Sequence, residues 1–238
     1  VVNAAGSNAT VICGLKPKDT LNTIKDAQKA QDLGAVGLQI DLPFFHHANQ
    51  DDSVRHFTDI SESVDVGVMI YNTFWFCSDP IEEYLKADTI LRLKDTEHIV
   101  AIKWKVPDGE DYDQMRRFSN FFNVIDNSND PVRCHMNGGR GYISSLIAVY
   151  PQHDLEIWRL LESKRYDEAQ SRIDYVGSAL APWLTKASKK SGGYRQHKGM
   201  LAARGISVGP PRLPTLPLDD LEIAEVKRIM EEIGWINT

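Results

Sequence analysis

The sequence predicts an α/β protein built on a parallel sheet, and three observations carry that prediction. Short apolar runs recur along the first two thirds of the chain, and amphipathic segments of helix length separate them. Strands that alternate with helices form β-α-β units with right-handed crossovers. The runs are apolar throughout rather than alternating, which predicts strands covered on both faces.

In chain order, the predicted strands are Ala9–Gly14, Val36–Leu42, Val66–Asn72, Ile99–Trp104, Phe121–Asp126 and Gly141–Ser145. Between them the predicted helices are Lys18–Leu33, Asp51–Ser63, Pro80–Lys94, Asp111–Asn120 and Asp130–Met136. Asp19 or Thr20 can cap the first helix, and Gly34 follows its end. Asp79-Pro80 opens the third, with proline at an early helical position. From about Pro151 the pattern becomes all-helical, with His153–Ser163, Arg165–Lys190, Gly193–Arg204 and Leu218–Ile233, interrupted by the proline-rich 209–217 stretch. A β/α body over residues 1–150 and a helical region over 151–238 are the expected parts. Periodicity alone does not separate a closed barrel from an open sheet.

Composition narrows the function. A chain of 238 residues with 42% apolar, 25% charged and 9% aromatic residues is ordinary for a globular protein. Its net charge of −6 argues against a nucleic-acid or anionic-membrane surface, since both need a basic face. No stretch approaches the length of a membrane span. Cys13, Cys77 and Cys134 stand apart with no CxxC spacing. That is neither a disulfide framework nor a zinc signature, and a reducing, cytoplasmic setting is the simplest expectation. His46-His47 could suggest a metal, but adjacent loop histidines rarely converge on one ion and no carboxylate stands at ligand spacing. No metal and no cofactor are expected.

Lys103 carries the sharpest signal. It lies inside the apolar run His98–Lys105, where an ammonium is costly unless neutralised or paired. The run Val66–Asn72 ends in Tyr71. A lysine of depressed pKa beside a phenol can condense with a ketone and move protons around the imine. The bland alternative is a strand-end lysine snorkelling into water. Lys105 is the rival nucleophile: it shares a strand side with Lys103, one pleat nearer the mouth. Gly138-Gly-Arg-Gly141 lacks a nucleotide-loop pattern.

Five segments together point further. Val11-Ile-Cys-Gly14 with Thr20, Gly34 through Leu42-Pro-Phe-Phe45, Tyr71-Asn72, Ala101-Ile-Lys103 and Gly138 through Ser144 occur in one order and spacing. In these the sequence resembles the dihydrodipicolinate synthase / N-acetylneuraminate lyase family of Schiff-base-forming enzymes, over residues 11 to about 218. The resemblance implies a (β/α)8 TIM barrel with a C-terminal helical extension, and a homo-oligomer, tetramer or dimer. Matched this way, the chain begins just before the third strand. Two β-α units, with the Gly-Thr-Thr-type loop that holds the pyruvate carboxylate, are expected upstream of it.

The resemblance assigns Lys103 as the Schiff-base lysine and Tyr71 as the proton relay. It implies substrate contacts at Phe45, Phe76, Asp126, Asn127, Gly139 and Ile143, and pyruvate or a similar 2-oxo acid as the small-molecule partner. Two departures stand out. Phe76 occupies the place of an arginine that holds a second carboxylate in the synthases, and Phe44-Phe45 occupy the place of tyrosines that relay protons. A phenylalanine can neither pair a carboxylate nor donate a proton. Both departures argue against true dihydrodipicolinate synthase activity and favour a 2-oxo-acid-dependent aldolase or related synthase. The alternatives are a 2-keto-3-deoxy sugar acid dehydratase, a non-catalytic binding relative, or an unrelated α/β binding protein. The Phe74-Trp75-Phe76 cluster tilts the choice toward aldol chemistry on a bulky or apolar aldehyde.

Overall fold

The computed structural model describes residues 1–192 and 194–236 of the chain. The first unit, Val1–Ile143, contains α1 (Val2–Ala5), β1 (Ile12–Leu15), α2 (Thr20–Asp32), β2 (Gly37–Asp41), α3 (Gln50–Ser61) and β3 (Gly67–Tyr71). It continues with α4 (Pro80–Glu83), α5 (Ala87–Leu91), β4 (Ile99–Trp104), β5 (Asn123–Asp126), α6 (Pro131–Met136) and β6 (Gly141–Tyr142). The six strands form one sheet in sequence order, every neighbouring pair parallel.

Helix starts follow their capping chemistry. Asp19 accepts a hydrogen bond from the Asn22 backbone at 3.0 Å and so caps α2. Asn49 and Asp52 make a reciprocal capping box at α3. Asp79-Pro80 and Asp130-Pro131 open α4 and α6 with proline in the first turn.

Two predicted helices differ from expectation, and backbone accounting explains both. The helix expected over Pro80–Lys94 is split into α4 and α5. At the break, the Leu85 N–H donates to Asn72 Oδ1 at 2.8 Å, and Asn72 Nδ2 donates to the Leu85 carbonyl at 3.1 Å. Gln50 Nε2 donates to the Tyr84 carbonyl at 2.8 Å. Groups that would continue a helix ladder are taken by side chains from elsewhere. The helix expected over Asp111–Asn120 is a 3-10 turn at Tyr112–Arg117, with the Tyr112 carbonyl accepting from Trp104 Nε1 at 3.0 Å.

The sheet also corrects the expectation of strands covered on both sides. Leu38, Ile40, Val68, Ile70, Ile102 and Val124 alternate onto one face and are fully buried. They join Ala27, Phe57, Ile60 and Ile90 of the helices in a single core. Gln39, Asp41, Met69, Tyr71 and Ile125 take the intervening positions and are half-buried, while Ala101 and Lys103 on the same face are deeply covered. This second face is where polar chemistry is placed.

His56 of α3 is buried, and its Nδ1 lies 2.9 Å from the Thr20 hydroxyl. Burial is the main reason its pKa falls from 6.5 to about 4. The unfolded chain therefore takes up this proton first as pH drops. Stability present above about pH 6.5 is lost progressively down to about pH 4, by about 3 kcal/mol in all. Urea unfolding between pH 7 and 4 will show this slope, and His56→Asn will flatten it.

The second unit, Ser144–Thr238, is helical. It comprises α7 (Pro151–Glu162), α8 (Tyr166–Lys190), α9 (Arg195–Ala203) and α10 (Asp220–Glu232), after a short 3-10 turn at Leu146–Ala148. The expected start of the third of these helices, Gly193, lies outside the described residues. Val176, Leu180, Trp183, Met200, Val226 and Met230 form its core. Inside it, Arg195 is 1% exposed and pairs with Glu222 through two hydrogen bonds of 3.0 and 2.7 Å. Its remaining N–H groups reach the carbonyls of Ala187, Leu216 and Pro217. Among the described residues, no helix is long and apolar enough to cross a membrane.

Candidate active site

Parallel pairing sets the site. Asp41 of β2, Tyr71 of β3 and Lys103 of β4 are consecutive register partners. All three therefore stand in one row on one face, at or next to the C-terminal ends of their strands, about 4.8 Å apart from strand to strand. Lys103 is 8% exposed. Its side chain leans across β3: the Nζ sits 3.6 Å from the centroid of the Tyr71 ring and 3.5 Å from Gln39 Oε1 on β2. The amine is thus delivered over a phenol to a strand two places away.

Electrostatics at this point are balanced between opposing effects. Burial pushes the Lys103 ammonium below the ordinary lysine value, and the Asp41 charge opposes it. Burial likewise pushes the Asp41 carboxyl above the ordinary aspartate value, against the Lys103 charge. The Tyr71 ring face favours a cation on the same nitrogen. The Tyr71 hydroxyl, by contrast, points to Asn127, whose Nδ2 donates to it at 3.5 Å.

The segment after β3 roofs this row with aromatic rings. Trp75 packs edge-on to Tyr71 at 5.9 Å, and Lys105 places its Nζ 5.2 Å from the Trp75 ring. The two rings stand between the two lysine amines, in the order Lys103, Tyr71, Trp75, Lys105. Phe44 is buried and touches both Phe45 and Phe76, at 4.4 and 5.2 Å between centroids. Phe45 and Phe76 themselves are 71% and 66% exposed.

The other predicted contact residues divide. Asn127 reaches the site through Tyr71. Asp126 is fully buried and alternates with Ile125 toward the opposite face. It accepts hydrogen bonds from the Tyr112 hydroxyl at 2.8 Å, from the Ser128 and Asp130 backbones at 3.0 Å each, and from the Ser128 hydroxyl. Its carboxylate is occupied in shaping the turn into α6. Gly139 is a glycine because of α6: a Cβ there would overlap Cys134 Sγ and lie 2.8 Å from the Cys134 carbonyl. Ile143 is 41% exposed, and its N–H donates to the Asp126 carbonyl at 2.9 Å.

Gln39 and Asp41 escaped the sequence reading, although a signal for them exists. In Gly37–Asp41 they are polar residues at alternate positions of an otherwise apolar strand, so they must share one face.

Comparison with known proteins bears on family and fold. The model of the Dihydrodipicolinate synthetase family matches residues 1–233. The 4-hydroxy-tetrahydrodipicolinate synthase of Corynebacterium urealyticum is 28% identical over 235 residues, covering 96% of this chain and 73% of that protein. The 4-hydroxy-tetrahydrodipicolinate synthase 1 of Halalkalibacterium halodurans is 28% identical over 233 residues, covering 97% and 75%. The crystal structure of dihydrodipicolinate synthase from Thermotoga maritima superposes with a TM-score of 0.77 at 24% identity, covering 99% of this chain and 79% of that one. That likeness establishes the TIM-barrel type of fold for the parallel sheet and the C-terminal helices. With the family match spanning nearly the whole chain, the protein belongs to the Dihydrodipicolinate synthetase family, a family of aldolase-type lyases.

Proposed function

We propose that the chain is a class I lyase that joins or cleaves a carbon–carbon bond next to the keto group of pyruvate or a similar 2-oxo acid, through an imine on Lys103. The observation that carries this reading is the buried Lys103 Nζ, 3.6 Å above the Tyr71 ring. Burial raises the share of neutral amine, the form that attacks a carbonyl. Once water leaves, the iminium nitrogen carries a charge that the Tyr71 ring face stabilises. The iminium withdraws electrons from the neighbouring carbon. Loss of a proton from that carbon gives an enamine, which adds to an aldehyde; the reverse sequence cleaves the aldol. Hydrolysis then frees Lys103. Tyr71, with its hydroxyl held by Asn127, orients the 2-oxo acid carboxylate and passes protons. Asp126 and Gly139 support the walls from behind, while Phe45, Phe76 and Ile143 offer apolar surface to the second substrate.

The second substrate separates this chain from its named relatives. By resemblance, Phe76 occupies the place of the synthases' carboxylate-binding arginine, and Phe44-Phe45 the place of their relay tyrosines. A dicarboxylate product would leave one charge without a bidentate partner. An apolar or aromatic aldehyde suits exposed rings better, so the reading is an aldolase rather than dihydrodipicolinate synthase itself. The enzyme works as a homo-oligomer in the cytoplasm, in keeping with free thiols at Cys13, Cys77 and Cys134.

Borohydride reduction in the presence of pyruvate tests the reading. The expected result is one pyruvyl adduct per chain, mapped by peptide mass to Lys103. An adduct on Lys105 would move the nucleophile and keep the mechanism. No adduct on the folded protein would favour a non-catalytic binding relative.

A further inference from the structure

Imine formation takes one proton from the lysine nitrogen and gives two to the departing oxygen, and by resemblance Phe44 and Phe45 occupy the place of the family's relay tyrosines. The face that carries Lys103 holds a different candidate. Asp41 is the register partner of Tyr71, which is the register partner of Lys103. Lys103 does not stay over its own strand but crosses Tyr71 until its Nζ meets Gln39, two residues before Asp41 on the same face of β2. The amine therefore arrives at the strand that carries the carboxylate. The two groups are electrostatically coupled, each appearing among the charges that act on the other.

We propose that Asp41 is the acid–base group of imine formation at Lys103, with Gln39 as the residue that positions the amine. The proposal rests on the Schiff-base reading above and assigns the proton transfers within it. Neutral Lys103 Nζ attacks the keto carbon; the new C–N bond forms and the carbonyl π pair moves to oxygen. A proton passes from the nitrogen to that oxygen by way of the Asp41 carboxylate, giving a neutral carbinolamine. Asp41, protonated from solvent, then gives its proton to the hydroxyl, which leaves as water while the nitrogen lone pair closes the C=N⁺ bond. One proton is consumed and one water released. The resulting carboxylate faces the iminium charge and stabilises it. Hydrolysis runs the same steps backwards.

The charged and titratable groups around Asp41 are few. Lys103 faces it from β4 and Tyr71 from β3. Lys16 follows β1 at the level of Asp41 and is exposed.

The test measures the single-turnover rate of borohydride-trappable adduct formation with pyruvate from pH 5 to 10, for the wild type and Asp41→Asn. If Asp41 transfers protons, the plateau rate falls about 10²-fold while the adduct still maps to Lys103. If Asp41 only tunes charge, its removal shifts the pH midpoint downward and leaves the plateau within about twofold; that result overturns the proposal. If Asp41→Asn does not fold by circular dichroism, Asp41→Ala replaces it, and a plateau equal to the wild type overturns the proposal in the same way. Absence of any lysine adduct in the wild type would instead remove the Schiff-base reading itself.

Discussion

Replacing Lys103 will abolish chemistry without unfolding the protein. Lys103→Arg keeps a cation near the Tyr71 ring but cannot form an imine, and Lys103→Met keeps the volume without the charge. Both are expected to lose pyruvate trapping entirely and to lower aldol turnover at least ~10³-fold, equivalent to about 4 kcal/mol of transition-state stabilisation. Stability separates the nucleophile from an ordinary core residue. The ammonium is buried against burial's own electrostatic cost, so Lys103→Met is expected to raise the unfolding free energy by about 1 kcal/mol. Turnover and urea unfolding measured on the same samples check the pair. A Met variant that is inactive because it is less stable would argue that Lys103 is a packing residue.

The largest stability effect is expected in the helical unit. Arg195 and Glu222 are both buried, and every N–H group of the guanidinium that is seen to bond meets either that carboxylate or a main-chain carbonyl. Removing Glu222 leaves the guanidinium buried without a counter-charge, and removing Arg195 leaves the carboxylate with only the more exposed Lys190 at 3.4 Å; breaking a buried pair in this way costs about 3–5 kcal/mol. Arg195→Ala also frees the carbonyls of Ala187, Leu216 and Pro217, so it is expected at the upper end of that range. Glu222→Gln keeps the shape and one of the two acceptors but removes the counter-charge, so it is expected at the lower end of that range. Thermal and urea unfolding of the two variants against wild type give the comparison. Equal, small effects would show that the pair is solvated in solution.

The element order was legible because it rests on apolar periodicity and capping. All six strands fall inside or within a residue of the predicted segments, and Asp19, Asn49 and Asp79 supply local reasons for helix starts. What failed was non-local. No feature of 80–94 in isolation tells that Asn72 and Gln50 take the backbone groups of Tyr84 and Leu85. The two faces of the sheet were misjudged because the apolar runs were read without their parity. Gln39 and Asp41 are separated by one isoleucine, and that spacing already places them together on the side opposite the core. Lys103 and Tyr71 are singled out by burial and chemistry, and the structure makes them neighbours on one face. That Asp126 turns away from them follows from the same parity argument, through Ile125.

The fully buried amide of Asn72 has a mechanical consequence. It directly follows Tyr71 and clamps both main-chain polar groups of Leu85. The phenol is therefore tethered to the junction of two short helices thirteen positions downstream. Sequence drift in that junction would tilt the ring beneath the Lys103 amine as a lever tilts its load, retuning that nitrogen without altering any side chain on its own face of the sheet.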